Sequence, residues 1–219
     1  NFTGTINLLD ALNTIDYDCF INTGSSSEYG EKKEPMKESD VCEPNTVYGV
    51  AKTASTMYCN YIANSENKNI GTVRLFSVYG DYEEKGRLVT TLFTDLIKGK
   101  TVKLGNPLAV RDFVYIEDVI NVYLKILDNP AKLKGKIFNI CSGKQTSVSE
   151  MAEKIKKELG SVGELEYTSI AGRSFDSTTW LGDNTLFNLE YSWIPITVDK
   201  GIKKSAEWFK KNIELYEED

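Results

Sequence analysis

The chain changes from an apolar to a polar segment within Asp18-Cys19-Phe20-Ile21-Asn22-Thr23-Gly24-Ser25-Ser26-Ser27. The first six of these residues predict a short buried strand, which Gly24 and the serines end. A second apolar strand is predicted at 70–76, and it stops at 77–80. Helical patterns precede each strand, at 5–13 and 46–66. This order of helix, strand, helix and strand predicts an α/β fold whose parallel sheet is covered by helices.

The second part of the chain continues with both kinds of element. Helices are predicted at 87–98, 116–128, 147–159 and 199–212, and strands at 101–104, 111–115 and 136–140. The segment 30–45 carries Gly, Pro, Lys, Glu and Asn without an apolar period, and a loop of that length is usually functional. Because ligands of parallel sheets bind beyond the carboxyl ends of the strands, we expect 24–27 and 77–80 to meet at the ligand-binding edge.

Composition excludes several functional classes. The 219 residues carry a net charge of −6 and no basic block that could follow a phosphate backbone, so we expect no nucleic-acid partner. No apolar run approaches the roughly 20 residues that a membrane-spanning helix needs, so we expect no membrane partner. The four cysteines have neither C-x-x-C spacing nor a disulfide framework, which predicts reduced thiols in a cytoplasmic protein and no metal site.

The absence of histidine raises the importance of Tyr48 and Lys52. It removes serine–histidine and cysteine–histidine nucleophiles, so an enzyme of this sequence must transfer protons through tyrosine, lysine, a carboxylate or cysteine. On a helix, residues four positions apart lie on one face. A neighbouring ammonium favours the phenolate and would lower the pKa of Tyr48, which suits proton transfer near neutral pH. The alternative interpretation is a solvated lysine over a packed tyrosine.

For the other candidate residues, the sequence allows either a structural or a functional role. The segment 24–27 is either a polar turn or the source of a hydroxyl that bonds the same substrate oxygen as Tyr48. Arg111 and Arg173 are either bidentate phosphate ligands or members of surface ion pairs, for Arg111 with an acid such as Asp112. Neither G-x-G-x-x-G nor G-x-x-x-x-G-K-[ST] occurs in the sequence. The pyrophosphate loop of any bound dinucleotide therefore lies outside this chain.

Several motifs stand in one order along nearly the whole chain. They are Asn1-x-x-Gly4-Thr5-x-x-Leu8-Leu9, Ser25…Tyr29-Gly30, Tyr48-x-x-x-Lys52, Arg74-Leu75-Phe76-x-x-Tyr79-Gly80, Arg111-Asp112-Phe113-x-Tyr115-x-x-Asp118-Val119, Phe138-Asn139-Ile140-x-Ser142-Gly143 and Tyr191-Ser192-Trp193-x-Pro195. Together they resemble the extended short-chain dehydrogenase/reductases of the NAD-dependent epimerase/dehydratase type. The ordered set is specific, whereas a Tyr-x-x-x-Lys pair alone is common.

The resemblance implies the C-terminal portion of a Rossmann-type parallel sheet with a smaller α/β substrate-binding lobe. Residues 1–80 and about 110–130 would form the rest of the dinucleotide-binding domain, and about 81–109 and 131–219 the lobe. Family members begin with a strand and a glycine-rich turn that bind adenosine and pyrophosphate. This chain has neither, so we expect it to be part of a longer protein. The first two helices would pair in a homodimer, as they do in relatives.

The resemblance also implies roles for individual residues. Tyr48 would be the acid/base at a sugar hydroxyl, and Lys52 would lower its pKa and hold the nicotinamide ribose. Ser25 would hydrogen-bond the same oxygen, with Ser26 as a close competitor. The cofactor, NAD with NADP as the alternative, would contact Ser25, Tyr48, Lys52 and Phe76, the last lying against the nicotinamide. The nucleotide-sugar substrate would contact Ser77, which replaces an asparagine of many relatives, and Arg111, Arg173 and Asp176.

The implied activity is NAD(P)-dependent hydride transfer at C4 of a nucleotide sugar, by an epimerase or a 4-ketoreductase. A nucleotide-sugar dehydratase is one alternative. It is disfavoured because Ser26 and Ser27 stand where dehydratases carry an Asp-Glu pair, and Glu28 is one position late. A non-catalytic NAD(P)-binding sensor or interaction protein is the other alternative. The intact set of Ser25, Tyr48 and Lys52 argues against it, because binding alone needs no tuned phenol.

Overall fold

The computed structural model describes residues 1–168 and 177–217. Helices and strands alternate along most of the chain, as the sequence predicts. In chain order they are α1 Phe2–Leu12, β1 Phe20–Ser25, α2 Val47–Ser65, β2 Ile70–Leu75, β3 Ser77–Tyr79, α3 Leu88–Ile97, β4 Val102–Leu104, β5 Val110–Tyr115, α4 Ile116–Asp128, β6 Ile137–Ile140, β7 Gln145–Ser147, α5 Val148–Leu159, β8 Leu165–Tyr167, α6 Thr185–Tyr191 and α7 Val198–Lys211.

The first sheet has the strand order β1-β2-β6, and all its strands are parallel. β1 and β2 run in register from Phe20 opposite Ile70 to Ser25 opposite Leu75, so their carboxyl ends lie side by side. Helix α2 packs on both strands. These observations confirm the predicted α/β class and the parallel pairing of the first two strands.

Strand β2 ends before 77–80, as predicted, but the sequence did not predict that this segment forms a strand of its own. The chain bends at Phe76, where Val78 N donates to the Phe76 carbonyl at 2.9 Å, and then continues as β3. β3 pairs in parallel with β5, and β5 pairs antiparallel with β7. Strands β3, β7 and β8 were not predicted. They have three residues each, which leaves any period-two pattern weak, although β4 of the same length was predicted within 101–104.

The two largest hydrophobic clusters of the described residues pack against these sheets. One joins the first sheet to α4 and α6, with Phe138 of β6 packed edge-on against Phe187. The other joins α3, α5 and α7, with Phe93 stacked on Phe209 at 4.8 Å between ring centroids. The division of the chain into a dinucleotide domain and a lobe stays a prediction. One correction is needed, because β6 pairs with β2 and therefore belongs to the first sheet rather than to a lobe spanning 131–219.

A buried ion pair joins β2 to the turn that follows β1. Arg74 Nε donates to Glu28 Oε2 at 2.8 Å, and the two side chains are 3% and 0% exposed. The other carboxylate oxygen accepts from Ser25 N at 2.9 Å. A Cβ on Gly24 would lie 2.5 Å from Glu28 Oε1, so only glycine leaves room for this carboxylate. The pair therefore fixes how the chain leaves the end of β1.

Replacing Arg74 by methionine should lower the free energy of unfolding by about 3–5 kcal/mol, because Glu28 is left as an uncompensated buried charge. Urea unfolding at pH 7 measures this loss. The matched control is Lys204→Met, which breaks the half-exposed ion pair of Lys204 with Glu117 and should cost at most about 1 kcal/mol. Equal losses in the two variants would contradict the importance assigned to the buried pair.

Candidate active site

A cleft of about 550 Å³ opens at the carboxyl ends of β1 and β2. The segments 24–27 and 77–78 both line it, which is the convergence expected of parallel strands. The start of α2, the start of the loop 30–45 and the segment that begins at Ser177 complete its walls. The cleft is therefore built from parts of the chain that are far apart in sequence.

Tyr48 and Lys52 lie on one face of α2, next to this cleft. Thr46 caps the helix, its Oγ1 accepting from Gly49 N at 2.9 Å, and this fixes the first turn that carries Tyr48. Tyr48 lines the cleft and is 49% exposed. Lys52 Nζ donates to the Thr23 carbonyl at 2.7 Å and lies 5.7 Å from the centroid of the Tyr48 ring. Burial lowers the pKa of Lys52, and the Glu28 carboxylate partly opposes this effect.

The two competing serines have different partners. Ser25 Oγ accepts from Ser27 N at 3.1 Å, as the cap of a short 3₁₀ helix at Ser26–Glu28. Ser26 Oγ accepts from Trp180 Nε1 at 3.1 Å. Because each serine hydroxyl accepts in these contacts, its own proton can still be donated to another group in the cleft. Both serines line the cleft, so the structure brings each of them to the same space as Tyr48.

Of the four predicted substrate contacts, Ser77 and Arg111 line the cleft, whereas Arg173 and Asp176 lie outside the described residues. The Arg111 guanidinium donates to the Val110 carbonyl at 2.6 Å and lies 5.9 Å from the Trp180 ring centroid. Arg111 thus presents a cation at the cleft wall.

Asp112, the acid suggested as a surface partner of Arg111, is wholly buried. Its carboxylate accepts from Ser142 N, Ser142 Oγ, Gly143 N and Gly182 N at 2.6–3.1 Å. Burial raises the pKa of Asp112 to about 6, against the lowering effect of these hydrogen bonds. Asp112 therefore ties β5 to two neighbouring turns and is not part of an exposed ion pair.

Only a small part of the Phe76 ring is exposed in the cleft. The side chain is 5% exposed and belongs to a buried cluster with Tyr29, Met36 and Cys141. Its Cζ also packs against Gly182, where an added Cβ would lie only 2.6 Å away. The predicted contact of Phe76 with a nicotinamide ring stays a prediction, and this packing limits it to an edge of the phenyl ring.

Three of the cleft residues that were not identified from the sequence are important for the site. Arg87, just before α3, offers a second cation, and its place at the start of the predicted helix 87–98 was the available signal. Glu31 lies in the loop 30–45, which was expected to be functional although no residue in it was singled out. Trp180 carried no local signal, because its position depends on Ser26 and on Gln145, whose Oε1 accepts from Trp180 N at 2.8 Å.

The site fits the ribose and nicotinamide end of a dinucleotide. Within the described part of the chain, Lys52 Nζ donates to the Thr23 carbonyl alone, so two of its three N–H groups are available to ribose hydroxyls. Residues 1–168 and 177–217 contain no group of three or more His, Cys, Asp or Glu side chains suited to hold a metal ion. No helix within those same ranges is both long and apolar enough to span a bilayer.

Comparison with known proteins identifies a matching family and several similar enzymes. The NAD dependent epimerase/dehydratase family matches residues 1–141. A putative UDP-glucose 4-epimerase of Methanocaldococcus jannaschii is 31% identical over 97% of this chain and 70% of its own length. The structure of UDP-glucose 4-epimerase from Thermotoga maritima with UDP-glucose matches with a TM-score of 0.86 and 25% identity, over 96% of this chain and 69% of that one.

A second structure, UDP-glucuronic acid 4-epimerase from Bacillus cereus with UDP-glucuronic acid and NAD, has a TM-score of 0.86 at 24% identity. It covers 96% of this chain and 67% of that one, so the present chain spans about two-thirds of these proteins. The likeness confirms the predicted Rossmann-type α/β fold, and the NAD dependence of the matching family agrees with the predicted cofactor. By the match over residues 1–141, this chain belongs to the NAD-dependent epimerase/dehydratase family.

Proposed function

We propose that the full-length protein modifies a nucleotide sugar by NAD(P)-dependent hydride transfer at C4, as a 4-epimerase or a 4-ketoreductase. The observation that carries the proposal is the position of Tyr48 and Lys52 on one face of α2, at the cleft that Ser25 also lines. The family membership and the UDP-glucose 4-epimerase relatives agree with it. We propose Ser25, Tyr48 and Lys52 as the residues that take part in the reaction, because they lie together at this cleft.

The proton moves through this chain's own residues. Tyr48 accepts the proton of the C4 hydroxyl and later returns it, and Ser25 donates a hydrogen bond to the same oxygen. The Lys52 ammonium lies 5.7 Å from the centroid of the Tyr48 ring and would favour the negative charge that develops on the phenol oxygen during proton transfer. NAD, when bound, supplies the hydride acceptor and donor for C4. Lys52 would hold its ribose, and Phe76 would meet the nicotinamide with a ring edge.

The diphosphate of the substrate would lie against Arg87 and Arg111. Both arginines line the cleft, and guanidinium groups form paired hydrogen bonds with phosphate oxygens. Ser77 lies on the same wall and offers a hydroxyl. We keep Arg173 and Asp176 as proposed substrate contacts on the strength of the family resemblance.

The dehydratase alternative loses Glu28 as its acid. Glu28, the carboxylate nearest to the places that dehydratases fill with acids, is 0% exposed and is bound by Arg74 and Ser25 N. It therefore has no access to a sugar in the cleft. A sensor that binds NAD(P) without turnover stays the alternative from another class, and a catalytic test of Tyr48 separates it from the enzyme.

We also infer a cytoplasmic homodimer. The four cysteines are free thiols, in keeping with a reducing compartment. The helices α1 and α2 expose apolar side chains that a second copy would cover, namely Leu8, Val50, Met57 and Tyr61. Sedimentation of the purified full-length protein as a monomer at micromolar concentration would contradict the dimer.

Replacing Tyr48 by phenylalanine in the full-length protein should lower turnover by roughly two to four orders of magnitude, because the proton carrier is lost. Steady-state kinetics with nucleotide sugars measures the change. Tyr82→Phe is the matched control, since Tyr82 is an exposed tyrosine outside the cleft and outside the proposed dimer surface. Activity of Tyr48→Phe close to that of the control would contradict the proposal, and NAD(H) binding without turnover in the parent protein would favour the sensor.

Replacing Ser25 by alanine should lower kcat by about 10²-fold, the usual loss when one preorganised hydrogen-bond donor is removed. Ser26→Ala should lower it less than tenfold, because Ser26 mainly accepts the Trp180 indole N–H. Thermal unfolding of both variants checks that lost capping by Ser25 does not explain the result. If kcat falls further in Ser26→Ala than in Ser25→Ala, then Ser26 and not Ser25 is the hydrogen-bond donor to the substrate.

A further inference from the structure

We infer that Glu31 selects the sugar in this cleft, favouring a nucleotide-linked neutral hexose over a hexuronate. The inference rests on the proposed function, since it concerns the glycosyl group of that substrate. It adds a specificity residue and a narrower substrate class.

The backbone brings Glu31 to the cleft through a glycine turn. Gly30 has a φ of 69°, a left-handed conformation that glycine adopts without strain. A side chain at position 30 would also collide with the Glu43 carbonyl, and Glu43 N donates to the Tyr29 carbonyl at 3.2 Å. The two ends of the loop 30–45 are thereby held together. Glu31, the first residue after the turn, lines the same cleft as Ser26 and Trp180.

The Glu31 carboxylate keeps its capacity to accept hydrogen bonds. Its Oε1 lies 3.1 Å from Ser177 Oγ, a hydroxyl that also lies 2.6 Å from the Thr179 carbonyl and has one proton to share between them. A carboxylate has about four acceptor positions, so most of them stay available even when Ser177 donates to Glu31. Within residues 1–168 and 177–217, no lysine or arginine forms an ion pair with Glu31. The carboxylate is therefore open to donors in the cleft.

The charges of the cleft favour a neutral sugar. The charged side chains among its described lining residues are Arg87, Arg111 and Glu31. The diphosphate of the substrate takes up the two cations, and the proposed substrate contacts Arg173 and Asp176 add one charge of each sign. A hexuronate brings one more carboxylate, which meets the like charge of Glu31, whereas the hydroxyls of a neutral hexose can donate to it. Repulsion of the wrong substrate is an established route to specificity.

The test uses the full-length protein with two probes on one nucleotide, UDP-glucose and UDP-glucuronate. The parent protein should have a kcat/KM about fivefold higher for UDP-glucose, the size expected for two like charges at close range when one of them, Glu31, is exposed to solvent. Glu31→Gln should reduce this ratio about fivefold by improving the reaction of the glucuronate. The matched control is Glu34→Gln, an exposed acid of the same loop outside the cleft, which should leave the ratio unchanged.

A parent ratio near one, or an equal ratio in Glu31→Gln and the parent, overturns the role of Glu31 while leaving the proposed function in place. A Glu31→Gln variant that loses activity on both sugars equally also overturns it, because selection requires a change in the ratio. If the parent neither turns over nor binds either probe in calorimetry, the proposed function fails for uridine sugars and the inference fails with it. These outcomes separate the two claims.

Discussion

The buried ion pair of Glu28 and Arg74 is the interaction on which the rest of the site depends. Removing two charges from water costs free energy, which such a pair recovers only through close contacts on both sides. Here Ser25 N completes the carboxylate, Cys42 Sγ accepts from Arg74 Nη2 at 3.1 Å, and the Tyr29 ring lies 4.5 Å from the guanidinium carbon. These contacts hold one conformation of the turn after β1, and that turn carries Ser25, the proposed catalytic serine.

The same network extends to the loop that forms the opposite wall. Tyr29 donates its hydroxyl proton to Asn139 Oδ1 at 2.7 Å, and Asn139 Nδ2 donates to the Met36 carbonyl at 2.9 Å. Asn139 N also donates to Glu38 Oε1 at 2.8 Å. Strand β6 therefore holds the middle of the loop 30–45, and Gly30 holds its start. Glu31 reaches the cleft from a loop that is anchored at both places, which suits a side chain whose charge must stay in position.

The sequence predicts those parts of the site that depend on local geometry. The spacing of Tyr48 and Lys52 is a property of one helix, and the polar end of β1 follows from an apolar run that stops at Gly24, so both could be predicted. Trp180 could not, because the contact that positions it joins residues 154 positions apart. The burial of Phe76 likewise depends on Gly182, which no spacing connects to β2. Strand β3 was not predicted, because its three residues show no clear hydrophobic periodicity and only its pairing with β5 defines it as a strand.

Two carboxylates three positions apart have opposite fates, and the difference bears on both the reaction and the substrate. Glu28 is bound by Arg74 and closed off from the cleft, so it cannot act as an acid toward a sugar. Glu31 lies beyond the Gly30 turn, in the cleft, and forms no ion pair within the described part of the chain. Because Glu28 is unavailable as an acid for elimination, the site favours simple hydride transfer at C4. Glu31 places a negative charge in the cleft where we propose that the sugar binds, and this charge favours a neutral hexose.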